Sequence, residues 1–147
     1  MTTTEELPTL LDVNVLLALV WDHHIHHGSA HRHFRAVASD FATSPVTEIG
    51  LVRLLLTPSV TGRAVSPAEA LGTLNALRTQ PGWHFLPDNA SFANPLVVIR
   101  VLGGRRQVTD LHLVNLCAAH GHRLATFDAG IEQILAPQDR AHVLTWL

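Results

Sequence analysis

The sequence predicts an α/β sandwich: a short parallel sheet of about four to five strands flanked by helices on both faces. Short apolar runs, the strand candidates, alternate with longer segments of helical periodicity. The strand candidates lie far enough apart to require right-handed crossovers, and crossovers imply parallel pairing. With 147 residues, nearly half of them apolar, the chain is expected to form a single domain over 1–147 with one core.

Residues 9–13 read as a buried strand and 14–20 as a short helix. Residues 28–38 read as a helix with a polar face of His and Arg, and 41–43 as a short strand. Ser44-Pro45 combines a capping hydroxyl with Pro in the first turn, starting an apolar helix that runs to about residue 56 and is ended by Thr57-Pro58. Ser66-Pro67 repeats the signal for a helix over 67–79, closed by Pro81-Gly82. A third strand is expected over 83–86, a helix over 94–102 ending at Gly103-Gly104, and a helix over 109–119 stopped by Gly121. Residues 123–127 form a fourth strand candidate and 142–145 a fifth.

All ten positive charges are Arg, and the formal charge of −2 gives no general basic field for a polyanion. A nucleic-acid site would have to be local. The single Cys117 falls in an apolar helical stretch and reads as a small core thiol, consistent with a reducing cytoplasm. Residues 1–8 are polar and acidic, unlike a signal peptide, and no apolar run approaches the roughly 20 residues of a membrane span. A cytoplasmic location, away from membranes, is expected.

Four acids occupy the most apolar settings: Asp12 in Leu-Leu-Asp-Val-Asn, Glu48 in Pro-Val-Thr-Glu-Ile, Asp110 in Val-Thr-Asp-Leu, and Asp128 in Ala-Thr-Phe-Asp. Each falls near a strand-to-helix junction, where an open parallel sheet gathers ligands at its carboxyl edge. Positions i+3, i+4 and i+7 from Asp110 are Leu113, Val114 and Cys117, and from Glu48 are Leu51, Val52 and Leu55. Both carboxylates therefore leave their helices on the core side. Helix capping is the plainer account of Asp12, Asp110 and Asp128. For Glu48 the alternative is a buried pair with Arg53, since Ser44 already caps its helix and Thr47 holds the capping-box position. Converging, the four would repel one another and raise some of their pKa values unless a cation compensated them. An all-oxygen set suits Mg²⁺ or Mn²⁺, one or two ions, and metal-activated hydrolysis of a phosphodiester.

These contexts, together with Thr47-Glu48 and Leu-Ala-Thr126-Phe-Asp128, resemble the signature of PIN-domain ribonucleases, and most closely the VapC toxins of bacterial VapBC toxin–antitoxin modules. The resemblance runs from Leu10 to the C-terminus. It implies a PIN-like three-layer sandwich and a Mg²⁺- or Mn²⁺-dependent endoribonuclease that leaves 5′-phosphate and 3′-hydroxyl ends. It also implies a homodimer and a cognate VapB-type antitoxin whose C-terminal segment covers the site. Carried over, Asp12, Glu48, Asp110 and Asp128 are the acidic metal-site residues, and Thr126 orients a carboxylate or water. Asn14 matches the polar position after the first acid, and His112 falls at a position that varies in the family.

Arg105 and Arg106, after Gly103-Gly104 and close before Asp110, are candidates for holding an RNA phosphate on a mobile loop, against the alternative of two solvated arginines. His27 and His31 have an i, i+4 spacing that can hold Zn²⁺, but no Cys and only Asp22 stands nearby to complete a site. A solvated helix start explains that cluster more simply. Two rival functions remain open: an antitoxin-binding corepressor with a weak nuclease site, and a structure-specific DNA nuclease.

Overall fold

A computed structural model describes residues 7–101 and 103–147, with the side chains of Val101 and Arg106 outside the described residues. In chain order the elements are β1 (Thr9–Leu11), α1 (Val13–Val20), α2 (His27–Phe34), β2 (Phe41–Thr43), α3 (Pro45–Leu55), α4 (Pro58–Thr61) and α5 (Pro67–Arg78). There follow β3 (Trp83–Phe85), α6 (Val108–His120), β4 (Arg123–Thr126), α7 (Ala129–Ile134) and β5 (Val143–Thr145). The sheet has strand order β3-β2-β1-β4-β5, and each adjacent pair is parallel. Leu10 lies beside Ala42 of β2 and Leu124 of β4, so β1 is the central strand.

Strand alternation divides the core between the two faces. Leu11 packs with Val15, Leu16, Phe41, Leu51 and Leu55 on one side of the sheet. Leu10 packs with Ala42, Leu111, Val114, Cys117 and Leu124 on the other. This is the expected three-layer arrangement, with all five strands where the alternating pattern put them. Among the described residues, no helix is long and apolar enough to cross a membrane.

The caps explain the helix boundaries. Ser44 accepts from Thr47 and Thr47 answers the Ser44 backbone, a complete capping box ahead of Pro45. Ser66 accepts from the Glu69 N–H at the start of α5. α6 ends on Gly121 at φ +67°, left-handed backbone that glycine adopts without strain. At Gly50 a Cβ would stand 2.6 Å from the Val13 side chain, so the missing methyl is what lets α3 lie against α1, next to Asp12.

Two expected helices differ from the structure. The helix over 94–102 is replaced by a single 3-10 turn at Ile99–Val101, with Leu102 outside the described residues. Asn94 precedes Pro95 and is pushed out of helical backbone. The Leu96 and Val98 N–H groups then donate to Asn115 and Asp139 side chains, both at 2.8 Å, instead of to helical carbonyls. The helix expected over 28–38 stops at Phe34, and 35–39 continue as turns. Short helices α4 and α7 were not foreseen, being too brief to show a period.

Candidate active site

Asp12 follows β1 directly and is buried, with 6% of its surface exposed. Its N–H donates to the Ala125 carbonyl at 2.9 Å, which places it at the C-terminal edge of β1 beside β4. One carboxylate oxygen, Oδ1, accepts from the Val13 N–H at 2.8 Å, and the other accepts from Thr126 Oγ1 at 2.7 Å. The Thr126 hydroxyl in turn accepts from Asn14 Nδ2 at 3.2 Å and from the Asp128 N–H at 3.0 Å. A hydroxyl has one proton and two lone pairs, so Thr126 is fully committed and can donate only to Asp12. Asn14 completes the bracket by accepting the Phe127 N–H at 3.2 Å. β1, α1 and the end of β4 are thus tied together around one carboxylate.

Asp128 is exposed and caps α7 through the Gly130 N–H at 2.9 Å. Asp12 likewise caps α1, so for these two the capping account and the site account hold together. Asp110 is no cap. It is the third residue of α6, behind Gln107, and its side chain is half-buried.

Burial, reinforced by the charges of Asp12 and Asp128, pushes the Asp110 carboxyl up to about 6. Burial also raises Asp12, helped by the Asp128 charge, although the Thr126 and Val13 hydrogen bonds pull the other way. The three aspartates feel one another, and among the described residues none of them has an ion-pair partner. The side chains as placed do not close around an ion: no three His, Cys, Asp or Glu groups among the described residues are spaced to hold one. Their donor set is nonetheless all carboxylate oxygen, the kind that suits a hard divalent cation.

Glu48, unlike the aspartates, has its charge answered from within the chain. It is 9% exposed, its Oε2 accepts from Thr43 Oγ1 at 2.6 Å, and Arg78 Nη1 donates to Oε1 at 3.2 Å. Trp83 Nε1 donates to the same Thr43 hydroxyl at 2.8 Å, and the Arg78 guanidinium lies 4.4 Å from the Trp83 ring centre. The alternative offered for Glu48, a buried pair, is formed with Arg78 and not with Arg53, because five residues along a helix turn the Arg53 side chain about 140° away. Arg53 is exposed and lines an apolar cavity of about 420 Å³ with Val13 and Thr109.

Other sequence candidates go elsewhere. His112 donates from Nε2 to Asp88 at 2.6 Å, two residues and about 200° around α6 from Asp110. Arg105 is exposed in a 3-10 turn just before α6, and the Gly103 N–H is held by Gln107 Oε1 at 2.8 Å, pinning the loop. The Arg106 side chain is outside the described residues. His27 Nδ1 and His31 Nε2 donate to the Ala18 and Leu19 carbonyls at 2.7 and 2.9 Å. These rings satisfy the open C-terminal end of α1, while His31, like His23 and His26, stays exposed as a solvated helix start would be. Arg78 and Thr43 escaped the sequence reading: Arg78 is thirty residues from Glu48, and Thr43 carries no local signal.

No family model matches the chain. It is 47% identical over 126 residues to Ribonuclease VapC38 of Mycobacterium tuberculosis, across 83% of this chain and 86% of that protein. The chain belongs to the VapC ribonuclease family. Ribonuclease VapC39 of the same organism is 41% identical over 131 residues, covering 85% of this chain and 91% of its own length. Ribonuclease VapC29 is 38% identical over 128 residues, with 87% and 91% covered. The crystal structure of VapBC2 from Rickettsia felis bound to a DNA fragment from their promoter superposes with a TM-score of 0.61 over 95% of this chain and 98% of that one. At 13% identity that likeness speaks for the fold alone. In this VapC chain Asp12, Asp110 and Asp128 influence one another at the sheet edge where β1 and β4 end.

Proposed function

We propose that this VapC chain is the toxin of a type II toxin–antitoxin module and cuts RNA internally with a bound Mg²⁺ or Mn²⁺. The observation that carries the reading is that Asp12, Asp110 and Asp128, on three separate stretches of chain, influence one another at one sheet edge and have no ion-pair partner among the described residues. Burial first, and their charges second, raise the Asp110 carboxyl. The names of its relatives, each a ribonuclease, supply the substrate class.

In this reading Asp12, Asp110 and Asp128 hold the ion, and Glu48 is the fourth acid, kept in place by Arg78 and Thr43 until it is called on. When bound, the ion lowers the pKa of a water and offsets charge on the phosphodiester. Thr126 favours the ionised form of Asp12 against burial and fixes its direction through its hydrogen bond, while Asn14 ties the end of β4 to α1. Arg105, exposed just ahead of Asp110, is the residue assigned to a backbone phosphate. A VapB-type antitoxin and a second copy of the chain are the proposed partners, and the cytoplasm the proposed site of action.

Incubation of total RNA and of matched RNA and DNA hairpins with Mg²⁺, Mn²⁺ or chelator tests this directly. Metal-dependent internal cuts in RNA, with 5′-phosphate ends, are expected, and Asp12→Asn should lose them. Cleavage that persists in chelator or in that variant rejects the site, and preference for the DNA hairpin rejects the substrate.

A further inference from the structure

The turn between α1 and α2 lies against the strand end that carries Thr126 and Asp128. The His26 ring stacks on Phe127, with centroids 4.9 Å apart and planes within 18°. The His24 ring stands beside it, tilted by 43° with centroids 5.7 Å apart and not stacked, and its Nδ1 accepts the His26 N–H at 3.0 Å, which fixes the turn. On the inner side Phe127 meets Trp146 edge-on at 6.0 Å, and Trp146 is buried. Phe127 is held further by its N–H bond to Asn14, the residue that also braces Thr126.

An aromatic row therefore starts in the core, passes between Thr126 and Asp128 in the chain, and reaches the surface at His26. His27 and His31 are occupied with the end of α1, and His33 with Leu147. The His26 ring makes no hydrogen bond to another described residue and is exposed. Ile25 beside it is 89% exposed, an apolar tip suited to a base rather than to a phosphate.

We infer that His26, stacked on Phe127, is a positioning residue that receives an unpaired nucleobase of the RNA next to the bond being cut. The inference rests on the ribonuclease reading above and adds the contact that seats the substrate. A flat ring backed by a second ring accepts any base through its π face, so the contact favours single-stranded RNA and tolerates sequence. A paired base is already stacked and cannot reach it.

The test measures binding of a fluorescent single-stranded RNA in chelator, and separately KM and kcat for its cleavage with Mn²⁺. His26→Ala should weaken binding and raise KM by about tenfold, with kcat within about twofold. His26→Phe should stay near wild type, since it keeps the platform and removes only the ring nitrogens. An unchanged affinity and KM in His26→Ala would overturn the inference, as would His26→Phe behaving like His26→Ala. Thermal unfolding of both variants separates lost contact from lost fold, and a drop in stability large enough to explain the KM change also counts against it. His26-dependent binding by a wild-type protein that never cuts RNA would instead remove the ribonuclease reading alone.

Discussion

Glu48 and Asp110 both sit in the first turn of a helix, both project inward from an apolar stripe, and the fold treats them in opposite ways. Glu48 receives a hydroxyl from Thr43 and a guanidinium from Arg78, so its charge is answered from within the chain. Asp110 receives neither, and it faces Asp12 and Asp128 instead. A buried carboxylate beside a cation has its charge compensated; a half-buried one beside two other carboxylates does not. In the proposed site, this difference would centre the ion-holding set on the β1–β4 edge and leave Glu48 on its rim.

Activity should draw the line most sharply. Asp12→Asn keeps an oxygen for the Val13 cap but removes the charge, and a loss of at least about a hundredfold in cleavage rate is expected. Asp12→Ala also removes the cap, so a gain in stability from relieved repulsion is offset by about 1 kcal/mol. Next comes Thr126→Val, which strips Asp12 of its hydrogen bond and leaves Asn14 and the Asp128 N–H without an acceptor. Chemical denaturation should register a loss of about 1–3 kcal/mol, and cleavage should fall about tenfold.

Arg78→Ala probes the other neighbourhood. It strands the Glu48 carboxylate, and because the guanidinium is 38% exposed the cost should be about 1–2 kcal/mol, less than for a fully buried pair. Glu48→Gln restores stability in that background if the pairing is what matters. Activity lost by Glu48→Gln in an otherwise stable protein would move Glu48 from the rim into the centre.

The smallest effect is a pH slope. Asp110 has a folded pKa of about 6, above its unfolded value, so the folded protein binds the extra proton between those values. Stability is therefore greatest below the unfolded pKa and declines as pH rises to about 6, by something on the order of 1 kcal/mol after allowing for solvent screening. Mg²⁺ or Mn²⁺ should flatten that decline, and Asp110→Asn should reduce it, leaving the part contributed by the raised Asp12 carboxyl. A slope indifferent to both would dissolve the contrast with Glu48.

What the sequence reading recovered is local in origin. Ser44-Pro45 and Ser66-Pro67 mark helix starts because capping involves neighbours within four residues. Strands over 41–43 and 143–145 are visible because β pattern needs only a few residues to declare itself. The four acids stood out for the same reason: each is anomalous within its own short apolar context.

Sequence by itself thus determined the layered α/β order, the helix caps and the identity of the four acids. Tertiary structure alone decided which of those acids is answered by Arg78, that His27 and His31 close α1, that His112 turns to Asp88, and that His26 leans on Phe127. The physical reason is range. A backbone pattern repeats over a few residues, whereas a side chain's partner is whatever packing delivers from 24, 30 or over 100 residues away.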